Sequence, residues 1–593
     1  MSASPDAGGW ATPAERSGYR ATPNYAETIA YLERLVAAYP HRVRLEAFGR
    51  TGEGRELTLA VVSGDGTFDP EAIHRSGRVV LLVQNAIHAG EMDGKDACLA
   101  LARDLVRDPT LAPLLERAVL AFVPVYNIDG HERRSPFHRI NQNGPEEMGW
   151  RANATNLNLN RDYLKAEAPE TRAFLDLIDR WRPDFFVDDH VTDGADFQYD
   201  VTFQLDATPD VAAGTARWIR DRVTPGLVRH VDASGHLALP YAVFLRDDTD
   251  PAQGLAYNEN PPRFSTGYMI LENRPALLVE LHMLKDYRTR VTANYEVLRG
   301  LLGILDRDAA ELIALNREAD AAAARLHEAA RTSAPFPLVV ASSGATSPVK
   351  FRGIRFERRP SEVSGAMAIE YGTEPWEAEI PVETGARVAV SIVPPSGYIV
   401  PPQWRRVLDV LAAHHVQMRR TAAEWTGPVE RYRCSGMRWT ERPFEGRHPI
   451  LRGGNVEGEY GRFGPCLRST EVMTFPAGSA VVPLDQRRAK VVIHWLEPEA
   501  PDSAVRWGFF DAIFEQKERG EAYVVERLAR AELARDPALR TEFEQRVRSD
   551  PRFAADPGAR LDFFYDRSPW SRAQRIGEYP VGRLASLDGI PFA

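Results

Sequence analysis

At 593 residues the chain is too long for a single hydrophobic core, and about two to four domains are expected. An apolar share of 44% with a charged share of 26% is that of a folded chain, and a net charge of −10 argues against nucleic acid or an acidic membrane surface as the main partner. No run approaches the roughly 18 continuous apolar residues that a membrane span requires.

In chain order, the opening "MSASPDAGGWATPAERSGYR" lacks a charged stretch followed by an apolar one, so no signal peptide is read in the chain as given. A periplasmic or secreted home for a mature form, and a cytoplasmic one otherwise, both stay open. "NYAETIAYLERLVAAYP" has helical apolar spacing and ends at a proline. The segments "RELTLAVVSG", "GRVVLLVQNA", "RAVLAFVPVYN", "PDFFVDDH" and "PALLVELHM" read as buried strands separated by helices such as "DGKDACLALARDLVRD" and "ETRAFLDLIDRWRP". Near-continuous apolar strands alternating with helices predict an α/β fold with a mixed, largely parallel central sheet. The alternation closes near residue 330 with a long helical pattern.

From there to about residue 500 the texture is short period-two runs broken by Gly and Pro, a β-rich region with one helical stretch, "PPQWRRVLDVLAAHHV". The rest reads as mainly helical. The expected division is therefore 1–330, 331–500 and 501–593, with homo-oligomerisation through the C-terminal regions left open. Of three cysteines, Cys98 falls in a helical apolar pattern, and Cys434 and Cys466 could pair only in an oxidising compartment.

The chemistry-bearing residues cluster at strand ends. His88 and Glu91, in "NAIHAGEMDG", follow an apolar strand at the place where open α/β sheets put their ligand sites. About one such His-x-x-Glu pair arises by chance among 14 histidines, so alone the motif reads equally as an ordinary turn. His190 ends the strand "FFVDDH", which adds a second imidazole. Two imidazoles and a carboxylate are the donor set of a catalytic zinc site with one position open. Asp189 is a candidate supporting group, although neighbouring strand residues point to opposite faces. Glu280, in "LLVELH", is a carboxylate in a buried strand, read either as a buried salt bridge or as a group that takes and returns a proton. Between these strands, "GWRANATNLNLNRDY" supplies Arg151, Asn160 and Arg161, either a polar surface loop or guanidinium forks for a carboxylate and an oxyanion.

The segments "HAGE", "YNIDG", "WRANATNLNLNRDY", "VDDH" and "LLVELH", in this order, resemble the zinc metallocarboxypeptidase family of the carboxypeptidase A type, over about residues 20 to 330. The resemblance implies a mixed eight-stranded sheet between helices, followed here by a C-terminal extension. It also implies one Zn2+ held by His88, Glu91 and His190. Glu280 would be general base and acid, Arg151 would polarise the scissile carbonyl, and Asn160 with Arg161 would grip the substrate's terminal carboxylate. The family's capping tyrosine would be Tyr257 or Tyr268, and the specificity position would fall near Ser265. The implied activity is removal of a C-terminal residue from a peptide with a free carboxylate. A zinc amidase or deacylase acting on cell-wall peptides or acylated amino acids is the alternative for the same site. Departures from the family pattern are Ile128 in place of a proline, Asp162 after the Asn-Arg pair, and a short span from Arg161 to His190.

Overall fold

The computed structural model describes residues 9–451, 466–571 and 575–593, so part of the opening stretch read for a signal sequence lies outside it. The first half builds an eight-stranded sheet: β1 (Val43–Arg50), β2 (Glu56–Val62), β3 (Val79–Gln84), β4 (Ala118–Val123), β5 (Phe185–Val191), β6 (Val201–Leu205), β7 (Ala238–Leu239) and β8 (Ala276–Leu281). Their spatial order is β1-β2-β4-β3-β5-β8-β6-β7. The inner strands β4, β3, β5 and β8 run parallel, whereas β1 with β2, β2 with β4, and β6 with β8 are antiparallel.

Strands β3, β4 and β5 are buried along their whole lengths, as their apolar runs require. Successive residues go to opposite faces. Leu81 and Val83 join one core with the helices Asp93–Arg107 and Tyr287–Ala324, while Val80 and Leu82 join another with the helix Pro169–Trp181. This second core does not stop at the helix layer. It runs on through Tyr268 into Tyr398, Val407, Leu411, Val482, Trp495 and Trp507 of the C-terminal half.

Beyond the helix Tyr287–Ala324, strands Thr346–Pro360 and Met367–Glu383 pair with each other in a long ribbon. The ribbon is joined to the first half by a bridge between Phe197 and Gly353 and by a shared cluster of Phe197, Tyr199, Phe351 and Ile380. A second sheet of six strands holds Gly397–Val400, Arg419–Arg420, Trp425–Cys434, Cys466–Phe475, Ala480–Pro483 and Gly582–Leu584. This region holds two helices, Arg405–Ala413 as expected and Ala489–Leu496 in addition, and the run after residue 520 is helical from Ala522–Arg535 through Pro557–Tyr565. The chain ends by returning a strand to the second sheet rather than by fraying as a helix. Cys434 and Cys466 face each other at the end of their paired strands and form a disulfide.

Candidate active site

Strand β3 has β4 on one side and β5 on the other, so the chain leaves it in opposite directions and opens a crevice at its carboxyl end. His88 and Glu91 lie in the turn that follows β3. His190 is in β5, and its register partner in β8 is Glu280, so both side chains stand on the same face. Three neighbouring parallel strands therefore deliver their groups to one place.

The donor atoms of His88, Glu91 and His190 all lie within 4.8 Å of one another, and all three residues are buried. His190 Nδ1 is 2.9 Å from Glu91 Oε2 and 3.1 Å from His88 Nδ1, while His88 Nδ1 is 3.2 Å from Glu91 Oε1. Both imidazoles thus present Nδ1 inward and are held from behind through Nε2. For His190 the rear partner is Asp188, with Oδ2 at 2.8 Å. Asp188 is itself fixed by Gln84 Nε2 at 2.9 Å and by the Ser265 hydroxyl. For His88 the rear partner is the Asn158 side-chain oxygen, 3.2 Å away. Outer partners of this kind set the tautomer and aim of metal-binding imidazoles. The supporting carboxylate is thus Asp188, not Asp189. Strand alternation turns Asp189 onto the other face, where a Cβ on Gly94 of the covering helix would come within 2.6 Å of its side chain.

The charges fit a cation. Burial opposes ionisation of Glu91, but Arg139 and His88 outweigh it and hold the carboxyl well below its usual range. Burial, helped by Arg151 and His190, pushes His88 down to about 3, which leaves a neutral imidazole able to donate a lone pair. Burial also opposes charging of His190, yet Asp188 and Glu91 raise its pKa well above the ordinary value. Its proton must leave when a metal binds. The two imidazoles, the carboxylate and their rear hydrogen bonds are a donor set suited to one zinc ion.

Glu280 stands beside this cluster, and burial raises it to about 8, with Glu91, Asp193 and Asp188 adding to the effect and His190 opposing it. A carboxyl poised near neutrality suits proton transfer. Arg151 lies at the cluster's open edge, with Nη1 3.6 Å from Glu91 Oε1 and its side chain 40% exposed. The "YNIDG" motif explains its placement. Asn127 Nδ2 donates to the carbonyls of Ile87 (3.3 Å) and Arg151 (3.1 Å), tying the arginine to the histidine loop. Arg161 stacks on Phe264, 4.1 Å from its ring centre, with Nη1 donating to Asn160 O at 2.8 Å.

Several expectations change. The Asn160 amide nitrogen lies 3.3 Å from His190 Nε2 and its oxygen accepts the Ser265 N–H at 3.1 Å, so this side chain supports the site instead of facing open space. Ser265 is buried, with its hydroxyl on Asp188. Tyr257 does not reach the cluster. It lines a separate cavity of about 660 Å³ with Gln204, Asp206 and Asn258, at the Leu205 end of β6. Since β6 is antiparallel to β8, with Thr202 opposite Glu280 and Leu205 opposite Leu277, that end points away from the crevice. Tyr268 is buried in the core, bonded to Glu272 and His414. His414 is likewise interior. His282 holds Asp196 at 3.1 Å, outside the cluster.

Arg139 was not anticipated. Its Nη1 is 2.8 Å from Glu91 Oε1 and its side chain is 10% exposed, on a loop where Phe137 and Ile140 are 90% and 98% exposed. The detectable trace of this contact is Gly90, where a Cβ would lie 2.6 Å from Arg139 Cγ and 2.9 Å from Gly149 O. Gly90 is thus needed for close approach, and no positive φ is involved.

A parallel-strand crevice that gathers two imidazoles and a carboxylate beside a buried glutamate is suited to holding a metal ion with one position open. The zinc carboxypeptidase family matches residues 28–212, about a third of the chain. Sequence relatives include a zinc carboxypeptidase of Saccharothrix mutabilis subsp. capreolus, 29% identical over 120 residues (20% of this chain, 26% of the relative). Mouse carboxypeptidase D is 27% identical over 152 residues, 25% of this chain and 10% of the relative. The matched stretches thus span a tenth to about a quarter of the lengths of these curated relatives. Among solved structures, carboxypeptidase A of Helicoverpa armigera aligns with a TM-score of 0.36 and 18% identity, over 49% of this chain and 74% of that one.

Proposed function

We propose that the protein is a zinc-dependent exopeptidase that hydrolyses the C-terminal bond of peptides carrying a free carboxylate. The observation that carries this reading is the convergence of His88, Glu91 and His190 on one point, beside Glu280. A bound zinc ion would supply a Lewis acid that makes a water acidic and polarises a carbonyl. His88, Glu91 and His190 would hold it, with Asn158 and Asp188 fixing the imidazoles from behind. Glu280 takes a proton from the attacking water and returns it to the leaving amine. Arg151, at the open edge, offers its guanidinium to the oxygen on which negative charge develops. Arg161, half-buried against Phe264, grips the substrate's carboxylate.

The test is zinc content of the purified protein together with residue release from a peptide library presented with free and with amidated C-termini. Release from free termini alone is the expected result. Equal cleavage of both forms would reject the exopeptidase in favour of an amidase or deacylase. The Cys434–Cys466 disulfide supports an oxidising compartment for the protein. One titratable thiol per unfolded, unreduced chain, that of Cys98, is expected from native material, and three would contradict this placement.

A further inference from the structure

The segment that carries Asn158, Asn160 and Arg161 is covered by a turn from the distant C-terminal half. Phe444 and Arg447 exchange backbone hydrogen bonds of 2.7 and 3.1 Å, closing a turn with Glu445 and Gly446 at its tip. Both tip residues are left-handed, with φ of +50° and +74°. This hairpin turn favours Asn-Gly or Gly-Gly because a Cβ is strained at its first central position. A glutamate kept there against its backbone preference points to a use for the side chain.

The turn is firmly seated. The Phe444 ring stacks on Trp507 at 6.0 Å with an interplanar angle of 10°. Arg447 forks onto Glu167, with Nε 2.8 Å from Oε2, and donates to Trp507 O at 3.1 Å. Seated this way, Glu445 Oε2 accepts the backbone N–H of Asn158 at 2.8 Å. The Asn158 side-chain oxygen in turn meets the Asn160 N–H at 3.0 Å and His88 Nε2 at 3.2 Å. The Glu445 carboxylate also lies in the field of Arg161 and Lys165. The path from the C-terminal half to a metal-binding imidazole is therefore two hydrogen bonds long.

We propose that Glu445 is a positioning residue of the metal site, supplied by the C-terminal half, which fixes Asn158 so that Asn158 can orient His88. The site is then incomplete in the catalytic half alone. The proposal rests on the zinc reading given above.

Full-length Glu445→Gly and Glu445→Gln separate this role from simple packing. Glycine relieves the left-handed strain, so Glu445→Gly keeps or raises the melting temperature. It nonetheless binds zinc about 10- to 100-fold more weakly in a competition titration with a chelating dye, the range found for lost outer partners of metal ligands. Its kcat falls more than its KM rises. Glu445→Gln keeps an oxygen acceptor and restores zinc affinity to within a few-fold of wild type. Zinc affinity of Glu445→Gly equal to wild type, or of Glu445→Gln as poor as that of Glu445→Gly, overturns the role of Glu445 and leaves the zinc reading standing. A wild-type chain that takes up no zinc overturns both.

Discussion

Strand β5 and the ribbon Thr346–Glu383 are both extended segments rich in ionisable side chains, and they treat them in opposite ways. In β5 all seven residues are buried, Asp188, Asp189 and His190 included, because strands lie on both sides and helices on both faces. In the ribbon each strand has one neighbour, and its charges pair across the surface, as Lys350 and Glu377 do at 2.6 Å. An interior charge persists only with a partner or a task, whereas a surface charge needs neither. The same residue type should therefore carry very different consequences in the two settings.

The largest effect expected from this contrast is acid destabilisation by interior histidines. Burial, the first cause in each case, lowers His131, His414 and His494 to about 4. Between pH 6.5 and about 4 the unfolded chain then binds more protons than the folded one, so stability falls as pH falls through that window. Each group contributes on the order of 3 kcal/mol, fully present above the window. Replacing His494 by Phe should lessen the loss of urea midpoint between pH 6.5 and 4.5 relative to the unchanged chain, and parallel profiles for the two would break the comparison.

Next in size, Glu280→Gln should leave zinc bound and lower kcat by about 10²- to 10⁴-fold. Near wild-type turnover would remove Glu280 from the mechanism. Smaller again, Asp188→Asn and Asn158→Ala should weaken zinc binding by about 10- to 100-fold. The Asp188 change should cost more, because it removes a charged partner from a buried imidazole. The reverse order would show that the two imidazoles are held differently from the geometry described. At the small end, a double-mutant cycle on the exposed pair Lys350 and Glu377 should return little or no coupling. A coupling well above that would erase the distinction between strand and ribbon.

What was legible in the sequence follows the same division. His88, Glu91, His190 and Glu280 could be read because each is placed by the strand it ends or occupies, and an apolar strand announces itself. Asp188 was masked by its neighbour Asp189. Two residues from His190 on one strand, Asp188 shares its face, where it also meets Gln84 and Ser265. Arg139 and Glu445 come from loops whose course is set by contacts over long sequence distances, such as Asn143 N–H on Met283 O, and no local pattern encodes that. Tyr257 was offered by the family resemblance and not by a strand that it ends. The antiparallel β6 and the segment after it carry that residue to the other end of the sheet.

The core that begins on β3 at Val80 and Leu82 and ends at Trp495 and Trp507 has no seam at residue 330. Calorimetry should accordingly record one endotherm for the catalytic sheet and the second sheet together, with calorimetric and van't Hoff enthalpies in agreement. Activity and global melting would then vanish at the same temperature, and neither half could be tuned for heat without carrying the other along.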